Sequence, residues 1–177
     1  MTDPDRRALE RTTFDAWPPA VVALFDGERL MQKAGFTASL LVVDTAGDRP
    51  DDPVATPEIR TALLSAGELY APDSRTLYFS LWPGSRGARA LPARRAATLG
   101  FVAEAAFYQV QLHVEPAGTT AAGLACFRAT IVRGEVQRVG YARLTAGITF
   151  ELGKDAAAVI DRWARQVEAL KAAAAAR

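Results

Sequence analysis

The residues from Leu77 to Leu91 read LYFSLWPGSRGARAL and contain the clearest change of local structure in the chain. Apolar and other side chains alternate over residues 76–82, which is the period of a β-strand, so we predict a strand there. Pro83 and Gly84 then favour a turn. Ser85 is a good N-cap residue, and a short helix is predicted from it until Pro92 stops it. This strand, turn and helix are the reference point for the rest of the chain.

Other segments carry the same alternation or form short apolar runs between turn signals. We predict strands at residues 36–44, 60–69, 97–103, 107–114, 126–139 and 146–152. A turn is expected at Pro72, Asp73 and Ser74, and residues 45–56 read as a loop. About seven short strands at short intervals indicate a mainly β protein with an antiparallel barrel or sandwich.

Helices are predicted on both sides of the strands. Residues 20–33 have apolar positions at helical spacing, with Gly27 as a point where the helix could split, and Gly35 ends this segment. Residues 155–173 form the clearest helix, with Asp155 as N-cap and an apolar stripe that should pack on the barrel. Residues 1–19 read as a loosely ordered arm, or one draped over a neighbour, so we divide the chain into this arm and one domain at 20–177.

Composition excludes several classes of function. The 177 residues carry 21 basic and 20 acidic side chains, and this balance argues against a nucleic-acid-binding protein. The longest apolar stretch, residues 36–43, is too short to cross a membrane, and the first ten residues contain no apolar signal region. One cysteine and one histidine exclude an internal disulfide and a multi-histidine metal site. We expect a cytoplasmic protein without a metal.

The start of the helix after Ser85 is the candidate anion site. The first turn of a helix leaves backbone N–H groups without partners and carries the positive end of the dipole. Ser85 adds a hydroxyl, and Arg86 and Arg89 lie on a common side of the helix and add guanidinium groups. Such a site suits a phosphate. The alternative is that Ser85 only caps the helix and the arginines only form a solvated face.

Three motifs in order resemble the pyridoxamine 5'-phosphate oxidase-like FMN-binding split-barrel family. They are RTALLS at residues 60–65, LYFS at 77–80 and the Ser85-Arg86 turn. The resemblance covers about residues 36–152 and is closest to small members with a Trp-Pro-Gly-Ser-Arg turn. It implies an antiparallel split β-barrel with N-terminal and C-terminal helices. It also implies FMN in the groove between two copies of the chain, hence a homodimer.

The resemblance also implies the site residues. Arg60, Ser85 and Arg86 would bind the FMN phosphate, while Ser80 and the backbone of Ala62, Leu63 and Leu64 would lie along the ribityl chain and the ring. Gln109 or Gln111, on the polar face of their strand, would contact the flavin of the second subunit. Ser65 and Arg89 complete the candidate set of cofactor-binding residues.

Ser65, Leu81 and Gly87 depart from the family pattern, which has Lys, often Asn, and Lys at these places. The segment from Tyr141 to Phe150 also lacks the substrate-phosphate motif of pyridoxamine phosphate oxidase, so we do not assign that activity. The expected function is a flavin-dependent oxidoreductase acting on an unknown small substrate or a nicotinamide donor. The alternatives are a non-catalytic flavin or haem module, an apo structural dimer, and F420 in place of FMN.

Three further side chains have open roles in the sequence. His113 shares the face of the two glutamines and could be a structural residue, a proton donor or a haem ligand. Cys126 is expected to be a small buried hydrophobe. Trp82 could stack beside the flavin ring or serve as a core or interface aromatic.

Overall fold

The computed structural model describes residues 9–45 and 57–176. Within these ranges eight strands are formed, with the bounds β1 Glu10–Phe14, β2 Thr37–Asp44, β3 Glu58–Ser65, β4 Leu69–Tyr70, β5 Thr76–Leu81, β6 Ala96–Ala103, β7 Ala106–Thr119 and β8 Ala125–Arg138. The helices are α1 Pro19–Leu24, α2 Arg86–Arg94 and α3 Ala156–Ala175, and Ala66–Glu68 forms a 3₁₀ turn. No helix in these ranges is both long and apolar enough to span a membrane.

All eight strands belong to one antiparallel sheet, in which seven follow the order β3-β2-β6-β7-β8-β5-β4 and β1 pairs with β8 outside this order. The 3₁₀ turn joins β3 directly to β4, so the two ends of the order are only three residues apart along the chain. This connection curls the sheet into a half-barrel with a gap between its ends. The predicted fold class is therefore confirmed: a mainly β, antiparallel split barrel with flanking helices.

The core follows from the alternation along the strands. In β7 every second residue from Ala106 to Val114 is buried, and the residues between them are exposed or half-buried. The concave face of the sheet encloses the main core, whose largest fully buried side chains include Phe25, Phe79 and Leu40. Each such side chain stabilises the fold by roughly 1.5–3 kcal/mol.

The N-terminal arm contributes a strand, contrary to the expectation of a loosely ordered segment. Glu10–Phe14 pairs with the far end of β8, and Trp17 is buried in the main core. The backbone N–H of Trp17 donates to the carbonyl of Ser74 at 2.5 Å. The Phe14 ring lies over Gly134, where a Cβ would leave it no room. Residues 1–8 of the predicted arm lie outside the described residues.

Several element boundaries differ from the sequence prediction. The helix predicted at 20–33 ends at Leu24, because Gly27 has a positive φ of 77° and the chain continues in turns. The strand predicted at 60–69 stops at Ser65, where the 3₁₀ turn begins. Helix α2 extends past Pro92 to Arg94. The loop predicted at 45–56 lies outside the described residues except for Thr45.

No strand forms at residues 146–152, and this prediction is wrong. The segment packs by its side chains instead of joining a ladder. Phe150 meets the Trp163 ring edge to face at 6.0 Å, Leu152 packs on the same cluster, and Gly147 lies against Val102. Of the apolar positions that looked like a strand, Phe150 and Leu152 therefore pack against α3, whereas Ile148 is exposed.

Helix α3 docks on the 3₁₀ turn as its apolar stripe predicted. Trp163, Val167 and Leu170 are buried. An added Cβ at Gly67 would lie 2.1 Å from Cγ of Trp163, so the helix approaches this glycine too closely for any side chain. The packing of α3 is therefore sensitive to substitution at Gly67.

Gly67→Ala is expected to lower the free energy of unfolding by about 1–3 kcal/mol, the usual cost of overpacking a core. Urea unfolding followed by circular dichroism measures it. Gly153→Ala is the matched control, because an added Cβ there has no atom within 4 Å, and its effect should stay within about 0.5 kcal/mol. Equal stability of both variants would contradict the close packing at Trp163.

Candidate functional site

A cavity of about 160 Å³ lies between the edge strand β3, the end of β5 and the start of α2. It is lined by Leu40, Val42, Arg60, Thr61, Ala62, Leu81, Ser85, Arg86 and Gly87. The chain leaves the sheet at Leu81 and begins α2 at Arg86 after four connecting residues, so this short connection places the helix start at the gap in the barrel. The cavity thus joins a sheet edge to a helix N-terminus.

Arg60 is the cation on the sheet side of this cavity. It pairs in register with Val42, whose side chain is buried in the core, so Arg60 projects from the inner face of β3. Its Nε lies 3.6 Å from Oδ2 of Asp44, and its Nη2 contacts Oε2 of Glu58. The Nε atom is buried and has no hydrogen-bond partner. The ion pair with Asp44 is longer than a hydrogen bond, so the Nε–H can still donate one to a ligand acceptor.

The helix side of the cavity has a conventional N-cap. The Ser85 hydroxyl oxygen accepts a hydrogen bond from the backbone N–H of Ala88 at 3.2 Å, as predicted for a cap. The backbone N–H of Ser85 donates to the carbonyl of Trp82 at 2.9 Å and closes the Pro83-Gly84 turn. Since the hydroxyl oxygen is the acceptor here, its own hydrogen is available to a ligand.

Gly87, in the first turn of α2, lines the cavity without a side chain. It is buried, yet an added Cβ would meet no atom within 4 Å. An N–H group in the first turn has no acceptor inside the helix. The missing side chain therefore leaves both open space and a backbone donor at the cavity wall.

These groups fit a phosphate. Arg60 and Arg86 bring two guanidinium groups to one small cavity, and Ser85 with the first turn of α2 adds neutral donors and the positive end of the helix dipole. Guanidinium groups match phosphate oxygens in geometry as well as charge. The arrangement therefore suits an anionic ester.

Residues 62–65, which belong to the predicted cofactor-binding set, have side chains in different surroundings along β3. Ala62 lines the cavity. Leu63 is exposed on the outer face, and Leu64 is buried in the main core. Ser65 belongs to a capping box: its N–H and its hydroxyl both donate to Oε2 of Glu68 at 2.8 Å. Glu68 is thus paired with Ser65.

Ser80 and Arg89 are not brought to the cavity. Leu81 lines it, and because side chains alternate along a strand, Ser80 points to the other face of β5. Its register partner Cys126 packs there against Leu170 of α3, and the Ser80 hydroxyl is buried without a hydrogen-bond partner. Arg89 is exposed and absent from the cavity lining.

Gln109 and Gln111 lie on the outer face of the sheet, away from the cavity of their own chain. Gln111 pairs with Thr98, which pairs with Leu41, so these three share the outer face. Gln111 also lines an open groove of about 320 Å³ on this face. The cavity and the glutamines lie on opposite faces of the sheet. A single ligand would therefore contact both by passing the edge of β3, or it would contact the glutamines of a second chain.

Sequence reasoning missed the contributions of three residues at or beside the cavity, which are Asp44, Glu58 and Gly87. Asp44 ends β2 directly opposite Glu58, and both carboxylates flank Arg60. The pairing depends on strand register, which no local motif gives. Gly87 was noted only as a missing lysine, although its lack of a side chain is what opens the cavity wall.

Three further residues considered in the sequence, His113, Cys126 and Trp82, do not line the cavity. His113 is exposed, with Nε2 3.8 Å from Oε1 of Glu115, and Cys126 is buried as expected. Trp82 is exposed, so it is not a core residue. In the part of the chain that the structure describes, no three His, Cys, Asp or Glu side chains come together as a metal site would require.

Comparison with known proteins gives distant structural likenesses. No protein-family model and no curated protein matches the chain. A Lactobacillus delbrueckii protein provisionally described as a pyridoxamine 5'-phosphate oxidase is 12% identical, with a TM-score of 0.45 over 71% of this chain and 98% of that one. An F420 reductase is 14% identical, with a TM-score of 0.39 over 58% of this chain and 90% of that one.

An FMN-binding protein from Syntrophomonas wolfei subsp. wolfei is 13% identical, with a TM-score of 0.38 over 65% of this chain and 86% of that one. At TM-scores below 0.5 these likenesses carry no argument about cofactor or activity. Support for phosphate binding therefore comes from the set of residues that line the chain's own cavity.

Proposed function

We propose that the cavity binds the phosphate of FMN and that the protein is a flavin-dependent oxidoreductase acting on a small substrate. The observation that carries the proposal is the Nε of Arg60, which is buried without a hydrogen-bond partner on a cavity that Arg86 and the start of α2 also line. FMN is the phosphate ester that the resemblance implies, and F420 is an alternative that the sequence leaves open.

Each cavity residue has a distinct role in this proposal. The two guanidinium groups neutralise the phosphate and fix its orientation by paired N–H donors. The Ser85 hydroxyl donates one further hydrogen bond, and Gly87 lets the phosphate approach the first-turn amides. The bound flavin supplies hydride or electron transfer, while the protein binds, orients and shields it.

The edge of β3 supports the rest of the cofactor in this proposal. Within the described residues β3 pairs only with β2, so one side of its backbone has no strand partner. Such an edge offers N–H and C=O groups in a row. The backbone of residues 62–64 would hydrogen-bond the polar edge of a flavin whose phosphate lies at Arg60.

A second copy of the chain completes the proposed site. Exposed apolar side chains gather on the outer face of the sheet, where Val43 pairs with Ile59 and Val132 lines the same groove as Val43. Burying these side chains against a second copy is favourable. A homodimer formed by this face would let Gln109 or Gln111 of one copy reach the flavin of the other.

Val132→Asp is expected to convert the homodimer to a monomer, because a carboxylate buried in an apolar interface has no partner. Analytical ultracentrifugation measures the change in mass. Met31→Asp is the matched control, since Met31 is 54% exposed and Val132 is 60% exposed, but Met31 lies outside the outer face. A monomeric wild-type protein, or a dimeric Val132→Asp variant, would contradict the proposed interface.

The visible spectrum of the purified protein, before and after FMN is added and excess ligand removed, tests the cofactor. We expect the bands of oxidised flavin and their loss on anaerobic reduction by NADH or NADPH. Bound flavin that no nicotinamide or small-molecule donor reduces would overturn the oxidoreductase assignment. A Soret band, or a protein that retains no flavin, would overturn the cofactor assignment.

A further inference from the structure

Arg60 is already engaged by two carboxylates. Asp44 and Glu58 are register partners at the open end of β2 and β3, and Glu58 lies two residues before Arg60 on the same face of β3. Nε of Arg60 is 3.6 Å from Asp44, and Nη2 contacts Glu58. The cation proposed to bind a phosphate is therefore holding anionic groups of its own chain.

The two carboxylates differ in burial, and this difference decides which one can leave. The side chain of Asp44 is 8% exposed, whereas that of Glu58 is 57% exposed. Releasing Asp44 would leave a buried charge without its cation, which is costly. Releasing Glu58 only returns an exposed carboxylate to water, and exposed ion pairs are worth little.

We propose that Glu58 is an internal competitor that occupies Arg60 until a ligand phosphate displaces it, while Asp44 stays in place and holds the guanidinium. This inference rests on the proposed phosphate site and adds a residue that sets its affinity. The Glu58 carboxylate stands in for a phosphate oxygen in the free protein. Displacement breaks the ion pair between Glu58 and Arg60, and it leaves the negative carboxylate near the negative ligand. Both effects weaken phosphate binding.

The variant Glu58→Gln tests the competition, because it keeps the shape of the side chain and removes its charge. FMN, riboflavin and inorganic phosphate are titrated into the wild type and the variant by calorimetry. FMN and phosphate should bind about tenfold more tightly to the variant, as expected when one unit charge is removed near a doubly charged ligand at a partly exposed site. The affinity for riboflavin, which has no phosphate, should not change.

Glu168→Gln is the matched control. Glu168 is an exposed carboxylate of α3 that pairs with Lys171 at 3.0 Å, far from the cavity, and the variant changes the net charge by the same amount. Its affinity for FMN should equal that of the wild type. An equal gain in both variants would assign the effect to net charge and overturn the role of Glu58.

Two other results would overturn the inference and would distinguish it from the proposed function. If the wild type binds FMN better than riboflavin but Glu58→Gln has unchanged or weaker FMN binding, the phosphate site stands and the competition fails. If neither protein binds FMN better than riboflavin, the phosphate site itself fails and the competition falls with it. Thermal unfolding of each variant checks that the fold is intact.

Discussion

Replacing Gly87 by alanine is expected to weaken FMN binding by one to two orders of magnitude (about 1.5–3 kcal/mol), the contribution of a charge-assisted hydrogen bond to a phosphate. The added methyl group fills the space beside the first-turn amide, where no protein atom lies within 4 Å. The same substitution should raise the free energy of unfolding by about 0.4–1 kcal/mol, because alanine loses less backbone entropy than glycine on folding.

These opposite signs make the Gly87 experiment specific. A loss of ligand binding together with a gain in stability cannot come from general damage to the fold. Gly84→Ala is the control, since Gly84 lies in the turn just before α2, does not line the cavity, and would place its Cβ at an ordinary 3.7 Å from the Trp82 ring. Unchanged FMN affinity in Gly87→Ala would place the phosphate elsewhere.

Arg86→Ala should weaken FMN binding by about ten- to a hundredfold, since it removes a guanidinium group that lines the cavity. The affinity for riboflavin should stay the same, because riboflavin lacks the phosphate. Fluorescence quenching of each flavin measures both affinities.

The neighbouring arginine provides the control for charge. Arg89→Ala changes the net charge equally on the same helix, but Arg89 is exposed and does not line the cavity. Its FMN affinity should stay within about twofold of the wild type, because exposed charges at a distance are screened by salt. Equal losses in the two variants would mean that the helix acts only through its total charge.

Much of the fold could be predicted from the sequence, because it rests on local patterns. The alternation in β5 and β7 identified these strands, and the apolar stripe of α3 identified the helix that packs on the barrel. The segment at residues 146–152 misled because alternating apolar residues also suit an extended chain that packs without a ladder. Nothing within those seven residues distinguishes the two cases.

The candidate site was only partly predictable for a physical reason. Ser85 and Arg86 lie within one local motif, so their proximity follows from the chain itself. Alternation shows that Ser80 and Leu81 face opposite ways, but the packing of α3 decides which of them faces the cavity. The contact of Asp44 with Arg60 requires the register of two strands separated by a loop, and no single segment encodes it.

The central claim is that the cavity at the start of α2 recognises a phosphate. Titration of the unmodified protein with FMN and riboflavin in parallel, by calorimetry in one buffer, tests it most directly because the two ligands differ only in that group. We expect FMN to bind at least about tenfold more tightly than riboflavin, which is the contribution of one or more charge-assisted hydrogen bonds. Equal affinity for the two flavins would contradict it.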